Sequence, residues 1–310
     1  MNLFRTLHPR AQPVAPVALT IGNFDGLHLG HQALIAAVVD RIPDMSPGLM
    51  CFEPLPATLF RPEAPVPRLM GVGDRIRCCR RLGIQQMFMP RFDRAFAALS
   101  PDDFVRDVVV AAAGARHVVV GADFRFGARA AGDVESLARL GQRLGFGVEV
   151  IDPVCRGGEK ISSSRIRELL SSGEMAAAAA LLGRSYSLGG RVLRGQQLGR
   201  TLGFPTVNLR SPRPPALQGV FAVRVHGPGL DSHPGVANLG RRPTVNGTEW
   251  LLEAHLFDYD GNLYGRLLDV EFCYRLRGEE KFASLADMTR QMQVDARQAR
   301  QLLGADATVS

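Results

Sequence analysis

Two histidines three residues apart form the first group that could do chemistry. His28 and His31 follow an apolar run that ends at Ile21, and they precede a helical pattern. At the positive N-terminus of a helix, imidazole rings and backbone N–H groups can donate hydrogen bonds to phosphate oxygens. Two histidines alone would also fit a turn with incidental histidines or an incomplete metal site. The candidate nucleotide-binding positions before them, where glycines let a ligand approach the backbone, are Gly22, Phe24 and Gly26.

A serine run precedes another helical pattern farther along the chain. The hydroxyls of Ser162 and Ser164 can cap that helix and contact phosphates, and Arg167 can neutralise a pyrophosphate leaving group. A serine run by itself is more often only a helix cap. Its interpretation as a phosphate site therefore depends on the histidine segment.

An acid and two aromatic residues come directly after the predicted strand His117–Gly121. Asp123, Phe124 and Phe126 would lie at the carboxyl end of a parallel strand, where α/β proteins bind ligands. The two rings could hold a planar ring system, and the carboxylate could hold its polar edge. The alternative is that both phenylalanines belong to the core.

The second half opens with a glycine-spaced loop that contains arginine. Gly195, Gly199 and Arg200 could close over phosphates, although the order of residues is not that of a Walker A loop. Thr206 and Asn208 follow on an extended segment, and their spacing of two makes them face the same side. Their oxygens could hold Mg²⁺ and nucleotide oxygens, and the alternative is a strand with two ordinary polar residues.

The segment Trp250–Phe257 alternates between two faces. One face is wholly apolar, and Glu253 lies on the other, mixed face. A carboxylate in that position could take a proton from a substrate hydroxyl that attacks ATP. The alternative is a solvated glutamate without a catalytic role.

Two dissimilar halves would position these residues. From Val14 to about Leu182, apolar runs alternate with helical patterns, which predicts an α/β domain with a parallel sheet covered by helices on both faces. After Arg184, short β segments separated by glycines predict an antiparallel barrel or sandwich. Apolar residues at three- and four-residue spacing near the C-terminus predict an amphipathic helix that closes this half.

Glycine and proline mark the boundaries. Gly183 is expected to stop a helix, and it divides the chain into domains 1–183 and 184–310. The proline-rich segment Phe52–Arg68 is predicted to lack regular structure and to form a mobile or lid-like loop.

Composition puts the chain among ordinary globular proteins. It has 310 residues, 46% hydrophobic and 22% charged, which excludes a disordered or fibrous class and favours two domains. The net charge of +7 comes mainly from arginines spread over both halves, since the only lysines are Lys160 and Lys281. Spread charge favours small phosphate-containing ligands over a nucleic-acid groove. An odd number of cysteines without a CxxC pair, and no signal-peptide or long apolar run, predict a cytoplasmic protein.

The motifs of the first half resemble those of bacterial FAD synthetases. The stretch Gly22–His31 resembles the HxGH signature of adenylyltransferases, and Ile161–Arg167 resembles their ISSTxIR element with serine for threonine. Gly121–Gly127 resembles the GxDFxFG element, and Phe52–Pro54 resembles the FEP element. The family usually has histidine after FEP, where this chain has Leu55.

The second half resembles riboflavin kinase over nearly its whole length. Gly199–Leu209 resembles the family's GRxLGFPTANL, with Val207 in place of the alanine, and Asn238–Thr244 resembles its NxGxRPT. Glu253–His255, followed by Tyr264 and a glycine, resembles its ExH…YG. Gly278 stands where the family's LRPEEKF has proline.

Both halves together resemble the prokaryotic bifunctional riboflavin kinase/FMN adenylyltransferases, or FAD synthetases. The resemblance implies an α/β nucleotidyltransferase domain of the Rossmann-like HxGH type and a riboflavin-kinase-like β-barrel with a closing helix. It implies that the barrel phosphorylates riboflavin with Mg-ATP, with Glu253 as base and with Thr206 and Asn208 holding metal and nucleotide. It implies that the first domain then transfers AMP from a second ATP to FMN and releases pyrophosphate. The residues implied to stabilise charge in that transfer are His28, His31, Ser164 and Arg167.

Two other functions compete with this one. HxGH domains adenylylate several phosphorylated small molecules, but the kinase-like half argues against a different acceptor. A flavin-sensing or nucleic-acid-binding protein without activity is disfavoured because the motif residues are retained and the arginines are dispersed. We therefore expect ATP, riboflavin, FMN and FAD as partners, Mg²⁺ as cofactor, no nucleic acid or membrane, and a monomer or transient homo-oligomer.

Overall fold

The structure is a computed structural model that describes residues 1–7, 16–40, 44–194, 204–211, 213–244 and 247–306. The chain divides into two compact units, the first comprising Met1–Val66 and Arg75–Ser162 and the second comprising Pro67–Asp74 and Ser163–Ser310. The boundary between functional domains at Gly183 stays a prediction. Locally, Gly183 ends a helix with φ of 71°, the left-handed conformation typical of a glycine at a helix C-terminus.

A six-stranded parallel sheet forms the centre of the first unit. Its strands are β1 (Asn2–Phe4), β2 (Val17–Ile21), β3 (Ser46–Met50), β4 (Gln86–Phe88), β5 (Ala115–Gly121) and β6 (Gly147–Ile151). Their order across the sheet is β1-β4-β3-β2-β5-β6. β2 is buried along its whole length, as expected for a strand covered on both faces. The predicted α/β class is confirmed.

Helices connect these strands. They are α1 (Leu29–Asp40), α2 (Pro56–Phe60), α3 (Val72–Arg81), α4 (Arg94–Ala97), α5 (Pro101–Asp103), its π-helical continuation Phe104–Ala112, a 3-10 turn at Ala128–Ala130, and α6 (Val134–Leu144). A small antiparallel hairpin, β7 (Cys155–Arg156) and β8 (Glu159–Lys160), follows the sheet.

The winding of the sheet reverses between β2 and β5. The chain passes from β2 through α1 to β3 on one side, whereas β5 lies on the other side of β2 and leads through α6 to β6. In open α/β sheets, ligands bind outside the carboxyl ends of the strands at such a switch point. The segment after β2 carries His28, and the segment after β5 carries Asp123.

The proline-rich segment Phe52–Arg68 contains a helix, so the prediction that it lacks regular structure is wrong. α2 begins with Pro56, in the first turn of the helix, where the missing N–H costs no intrahelical hydrogen bond. Phe60, the last residue of α2, packs edge-on against the ring of Phe92. Proline here starts a helix instead of preventing one.

The second unit is a closed antiparallel barrel with helices before and after it. It contains α7 (Ser163–Ser172), α8 (Met175–Leu182), β9 (Ser187–Leu193), β10 (Thr206–Ser211), β11 (Gly219–Gly227), β12 (Leu230–Thr244), β13 (Gly247–Leu256), β14 (Leu267–Arg277) and α9 (Leu285–Asp306). The barrel closes in the order β10-β13-β12-β11-β14-β9. Of the two predicted β architectures, the barrel is therefore correct.

The C-terminal helix α9 packs against the barrel as predicted. Ala299 and Leu303 are buried together with Phe257. The carboxylate of Asp295 on α9 accepts hydrogen bonds of 2.8 to 3.1 Å from the guanidinium of Arg277 on β14. Neither α9 nor any other helix of the described residues has the length and apolar character needed to cross a bilayer.

Leu252 is one of the apolar residues that fix β13 in the barrel. Its side chain is 2% exposed, and it pairs with Leu209 and Leu239 on the two neighbouring strands. We expect Leu252→Ala to leave a cavity and to lower the free energy of unfolding of the barrel by about 2–5 kcal/mol. Trp250, the only tryptophan of the chain, lies on the same strand. Urea denaturation followed by tryptophan fluorescence therefore reports the unfolding of the barrel.

The exposed Val294 on α9 provides the control for that measurement. Val294→Ala should change the same free energy by less than about 0.5 kcal/mol, because surface substitutions have small effects. An equal effect of both variants would contradict the placement of Leu252 in the core.

Candidate active sites

The loop between β2 and α1 has a backbone conformation that few sequences adopt. Phe24, Gly26 and Leu27 all have positive φ, at 48°, 88° and 46°. The side chains of Phe24 and Leu27 are fully buried, which stabilises this otherwise strained conformation. A Cβ at Gly22 would lie 3.2 Å from the Phe24 ring, so any side chain there would make a tight contact with that ring. The side chain of Phe24 supports the loop from inside, and a nucleotide contact by its backbone stays a prediction.

The two histidines of this loop are in direct contact. The rings of His28 and His31 stack with centroids 3.7 Å apart. The backbone N–H of His31 donates to Nδ1 of His28 at 3.3 Å, so a neutral His28 ring carries its proton on Nε2. A Cβ at Gly30 would lie 3.2 Å from the His28 ring, so a larger residue between the histidines would press on that ring. The structure thus brings together the two residues that the sequence predicts to act together.

His31 is held in its neutral form. Burial, the neighbouring His28 and the charge of Arg75 together lower the pKa of His31 well below its usual value of 6.5. Its Nδ1 is buried and has no hydrogen-bond partner among the described residues. A neutral ring beside a phosphate can donate one hydrogen bond without adding a second charge to the interior.

Arg75 is a member of this site that sequence analysis missed. Its side chain on α3 is 0% exposed and forms an ion pair with Glu53, with 3.0 Å between Nη2 and Oε2. Its Nη1 donates to the backbone carbonyl of Asn23 in the histidine loop at 3.2 Å. The FEP element therefore contributes Glu53, which is partly exposed, as the ion-pair partner of Arg75.

The predicted flavin-binding residues lie at the carboxyl end of β5. The rings of Phe124 and Phe126 stack with centroids 5.5 Å apart. Phe126 is buried in the core, whereas Phe124 is only partly buried. Asp123 is exposed and forms an ion pair with Lys160 of the β7–β8 hairpin. Phe126 is thus a core residue whatever its further role, and Asp123 and Phe124 are the members of this group that a ligand can reach.

The remaining predicted phosphate-binding residues belong to different units of the structure or lie outside the described residues. Ser162 ends the first unit, and Ser164 and Arg167 belong to α7 in the second unit. Nε of Arg167 donates to the carbonyl of Pro67 at 2.7 Å, within the second unit. Their contact with phosphate stays a prediction. Three further predicted positions, Gly195, Gly199 and Arg200, lie outside the described residues.

In the barrel, strand pairing aligns the predicted kinase residues. Glu253 on β13 pairs with Asn208 on β10 and with Asn238 on β12. Thr206 pairs with His255, two residues farther along β13. Leu252 and Ala254, on either side of Glu253, are buried in the barrel, so Glu253 lies on the opposite face of β13. The pairing of Thr206 with His255 and of Asn208 with Glu253 puts Thr206 and Asn208 on that same face, as predicted.

Two cavities lie against this row of polar residues. The smaller, of about 250 Å³, is lined by Glu253, Thr206, Arg242 and apolar side chains that include Met292 of α9. The larger, of about 620 Å³, is lined by Thr206 and Asn208 and by the loop between β13 and β14. Thr206 is common to both walls.

The carboxylate of Glu253 is held by its surroundings. It accepts a hydrogen bond from the guanidinium of Arg242 on β12. The amide of Asn238, oriented with its oxygen toward Arg242, accepts from that guanidinium at 3.2 Å and donates to the carbonyl of Gly219 at 3.3 Å. Sequence analysis missed Arg242 as a partner, because the contact joins two strands whose register is not visible in the sequence.

His255 extends the polar row toward β10. Its Nδ1 lies 2.9 Å from the carbonyl of Pro205, so Nδ1 carries the proton and Nε2 has the lone pair when the ring is neutral. Burial lowers the pKa of His255, and the hydrogen bond to Pro205 opposes that effect. The ring also packs edge-on against Phe204 at 5.0 Å. His255 therefore fixes the end of the loop that leads to Thr206.

The residues present suit a divalent cation that arrives with a nucleotide. Among the described residues, no group of three or more His, Cys, Asp or Glu side chains could hold a metal ion. The hydroxyl of Thr206 and the amide oxygen of Asn208 are neutral oxygen donors on the wall of the larger cavity. Mg²⁺ is commonly bound by few protein oxygens together with substrate phosphates, so this pair fits Mg²⁺ bound to ATP.

The fold and the two sites define a two-domain enzyme that transfers phosphate-containing groups. The family model described as FAD synthetase matches residues 11–165, and the model described as riboflavin kinase matches residues 182–303. The bifunctional riboflavin kinase/FMN adenylyltransferase of Escherichia coli (strain K12) is 40% identical over 308 residues, which cover 98% of each chain. The protein of the same name from Haemophilus influenzae is 38% identical over 303 residues, which cover 97% of this chain and 98% of the relative. The chain belongs to the bifunctional riboflavin kinase/FMN adenylyltransferase family.

A solved structure has the same architecture. The crystal structure titled as a macrolide-efflux protein from Streptococcus pneumoniae is 26% identical and aligns with a TM-score of 0.76. The alignment covers 94% of this chain and 97% of the other. It therefore includes both the α/β unit and the barrel.

The lowered pKa of His31 predicts a specific dependence of stability on pH. Below about pH 6.5 the unfolded chain binds a proton at His31 that the folded chain does not bind, so the free energy of unfolding falls as the pH falls. The slope from one such proton is at most about 1.4 kcal/mol per pH unit. We expect His31→Asn to remove this contribution, so its unfolding free energy should depend less on pH than that of the wild type between about pH 5 and 6.5.

Urea denaturation of both proteins, followed by circular dichroism at several pH values, measures the difference. The two curves should run parallel above about pH 6.5 and converge below it. A constant difference over the whole range would show that His31 does not have a lowered pKa.

Proposed function

We propose that this chain converts riboflavin to FMN in its barrel and FMN to FAD in its α/β unit, with one ATP for each step. The observation that carries the proposal is the position of Thr206 on the wall of two cavities of different character. One cavity contains Glu253 and the other contains Asn208. A proton acceptor and a candidate metal ligand therefore lie on either side of Thr206, as required where an acceptor hydroxyl meets a nucleotide.

The smaller cavity suits riboflavin. Its apolar walls, which include Phe204, Val236 and Met292, suit a planar ring system, and Glu253 suits a hydroxyl group. Glu253 takes the proton of the 5′-hydroxyl while that oxygen forms a bond to the γ-phosphorus of ATP. The bond from the γ-phosphorus to the bridging oxygen breaks, and ADP leaves. Arg242 keeps the carboxylate in position through the hydrogen bond described above.

The larger cavity suits ATP. Thr206 and Asn208 would hold Mg²⁺ there, and a bound Mg²⁺ would neutralise negative charge on the phosphates. Tyr259 and Tyr264 on the loop between β13 and β14 line the same cavity and offer surfaces for the base and sugar. The residues proposed to close over the phosphates are Gly195, Gly199 and Arg200.

In the α/β unit, an oxygen of the FMN phosphate forms a bond to the α-phosphorus of ATP, and the bond to pyrophosphate breaks. No covalent intermediate with the enzyme is needed, so the protein's task is to position the substrates and stabilise charge. The side chains of this unit proposed to stabilise the phosphates are His28, His31 and Ser162. The same role is proposed for Ser164 and Arg167 from the sequence motif alone. The loop positions proposed to approach the nucleotide are Gly22, Phe24 and Gly26. Asp123 and Phe124 are proposed to contact the flavin, and Phe126 is proposed to support the ring of Phe124 from the core.

We further propose a cytoplasmic enzyme that binds no nucleic acid and acts as a monomer or transient homo-oligomer. The five cysteines are free thiols, which suits a reducing compartment. Several arginines are engaged in ion pairs with carboxylates of the same unit, as Arg75, Arg242 and Arg277 are. Arginines used in this way are not available to form a nucleic-acid groove.

The two activities can be separated by single substitutions in the full-length chain. With riboflavin, ATP and Mg²⁺ supplied, Glu253→Gln should lower the rate of FMN formation by about 100-fold or more, because the general base is lost. The same variant should still convert supplied FMN to FAD. His28→Ala should do the reverse, accumulating FMN and forming little FAD, as measured by chromatography.

Glu249→Gln on the same strand is the matched control, because Glu249 pairs with Arg210 and lines neither cavity. It should leave both rates within about twofold of the wild type. Near wild-type phosphorylation by Glu253→Gln would show that Glu253 is not the base. Failure of the wild type to form FMN and FAD would contradict the function itself.

Asn208 tests the metal assignment. Asn208→Ala removes one oxygen donor on the wall of the larger cavity, so riboflavin phosphorylation should need about tenfold more Mg²⁺ for its half-maximal rate. The Mg²⁺ dependence of FMN adenylylation in the same preparation should stay unchanged, because that reaction uses the other unit. An unchanged Mg²⁺ dependence of phosphorylation would exclude Asn208 as a ligand.

A further inference from the structure

Arg75 is a fully buried charge for which the reactions above give no role. Its side chain is 0% exposed, and arginine cannot shed its proton at physiological pH. Burial of such a charge costs a large free energy unless it is paired and hydrogen-bonded. The partners of Arg75 therefore indicate what this burial achieves.

Those partners connect the ends of two neighbouring strands. Glu53, which pairs with the guanidinium, follows β3, and Asn23, whose carbonyl accepts from it, follows β2. The backbone of Glu53 is itself fixed, because its N–H donates to the carbonyl of Pro90 at 3.3 Å and its carbonyl accepts from the N–H of Phe92 at 3.1 Å. Arg75 thus joins the histidine loop to a rigid edge of the sheet.

The histidine loop needs such a support. Its backbone has positive φ at two residues other than glycine, Phe24 and Leu27, and that conformation is strained. The carbonyl of Asn23 directly precedes the first of them. A donor from the interior to this carbonyl stabilises the strained conformation where it begins.

We propose that Arg75 is a positioning residue for adenylyl transfer: held by Glu53, it fixes the histidine loop through the carbonyl of Asn23, so that His28 and His31 face the phosphates. The inference rests on the proposed function of the α/β unit. Arg75 is fully buried and contacts the loop, so it acts through the two histidines.

The charge of Arg75 adds an electrostatic effect. Burial, His28 and Arg75 lower the pKa of His31, and the carboxylates of Asp25 and Glu53 and the thiol of Cys51 lie around Arg75. Removal of the guanidinium therefore raises the pKa of His31. The acid side of the pH–rate profile for FAD formation then moves to higher pH.

The test compares Arg75→Met with Arg75→Lys and Glu53→Gln in the full-length chain. Arg75→Met should lower kcat for conversion of FMN to FAD by about tenfold or more, because small displacements of groups at the reaction centre are costly. Arg75→Lys keeps the charge and should recover part of that loss and the wild-type pH profile. Glu53→Gln should also lower kcat for conversion of FMN to FAD, because it weakens the pairing that holds Arg75.

Riboflavin phosphorylation in the same samples serves as the internal control, since it takes place in the other unit. It should stay within about twofold of the wild type in all three variants. Arg80→Met on the exposed side of the same helix is the matched control and should leave both activities unchanged.

Adenylylation within about twofold of the wild type in Arg75→Met would overturn the proposal. So would a loss of rate without any change in the pH profile, because that result indicates a purely structural role. If Arg75→Met does not fold, Arg75→Lys and Glu53→Gln provide the test. A wild-type kcat and a wild-type pH profile in both of these variants would overturn the proposal. A wild-type chain that forms FMN but no FAD would contradict the proposed function of the α/β unit, and the inference with it.

Discussion

The kinase site depends on the register in which β13 pairs with both of its neighbours. Directly paired residues of antiparallel strands point to the same face, and successive residues point to opposite faces. Glu253, Asn208 and Asn238 therefore form one polar row across three strands. A slip of one residue would turn this row into the barrel and bring Leu252 to the outside. The buried apolar residues select the register, and the register aligns the groups that do the chemistry.

In the α/β unit, the order of the strands in the sheet places the candidate site residues, whereas strand register does so in the barrel. β2 and β5 are neighbours in the sheet although they are far apart in the chain, so the loops that follow them emerge at the same edge. The histidine loop is then shaped from inside by the ring of Phe24 and by Arg75. The candidate groups are thus placed by strand order in the α/β unit and by strand register in the barrel.

Local signals in the sequence were sufficient for much of the fold. Both ends of α6 are marked in the sequence, because Asp133 caps its start through Ser136 and Gly145 ends it in the left-handed conformation. The alternation of β13 was equally readable. β1 could not be predicted, because a three-residue edge strand exists only through its pairing with β4. The same limit applies to the sites: the burial of Arg75 and the contact of Arg242 with Glu253 depend on residues brought together by the fold.

Closure of the barrel has a consequence for how the sequence of this unit can vary. Each of its six strands is hydrogen-bonded on both sides, so an inserted or deleted residue within a strand disturbs two ladders at once. Lengthening a connection between strands costs little conformational entropy by comparison. We therefore expect changes of length to be tolerated better in the connections than within the strands, and one such connection is the loop between β13 and β14 that lines the larger cavity.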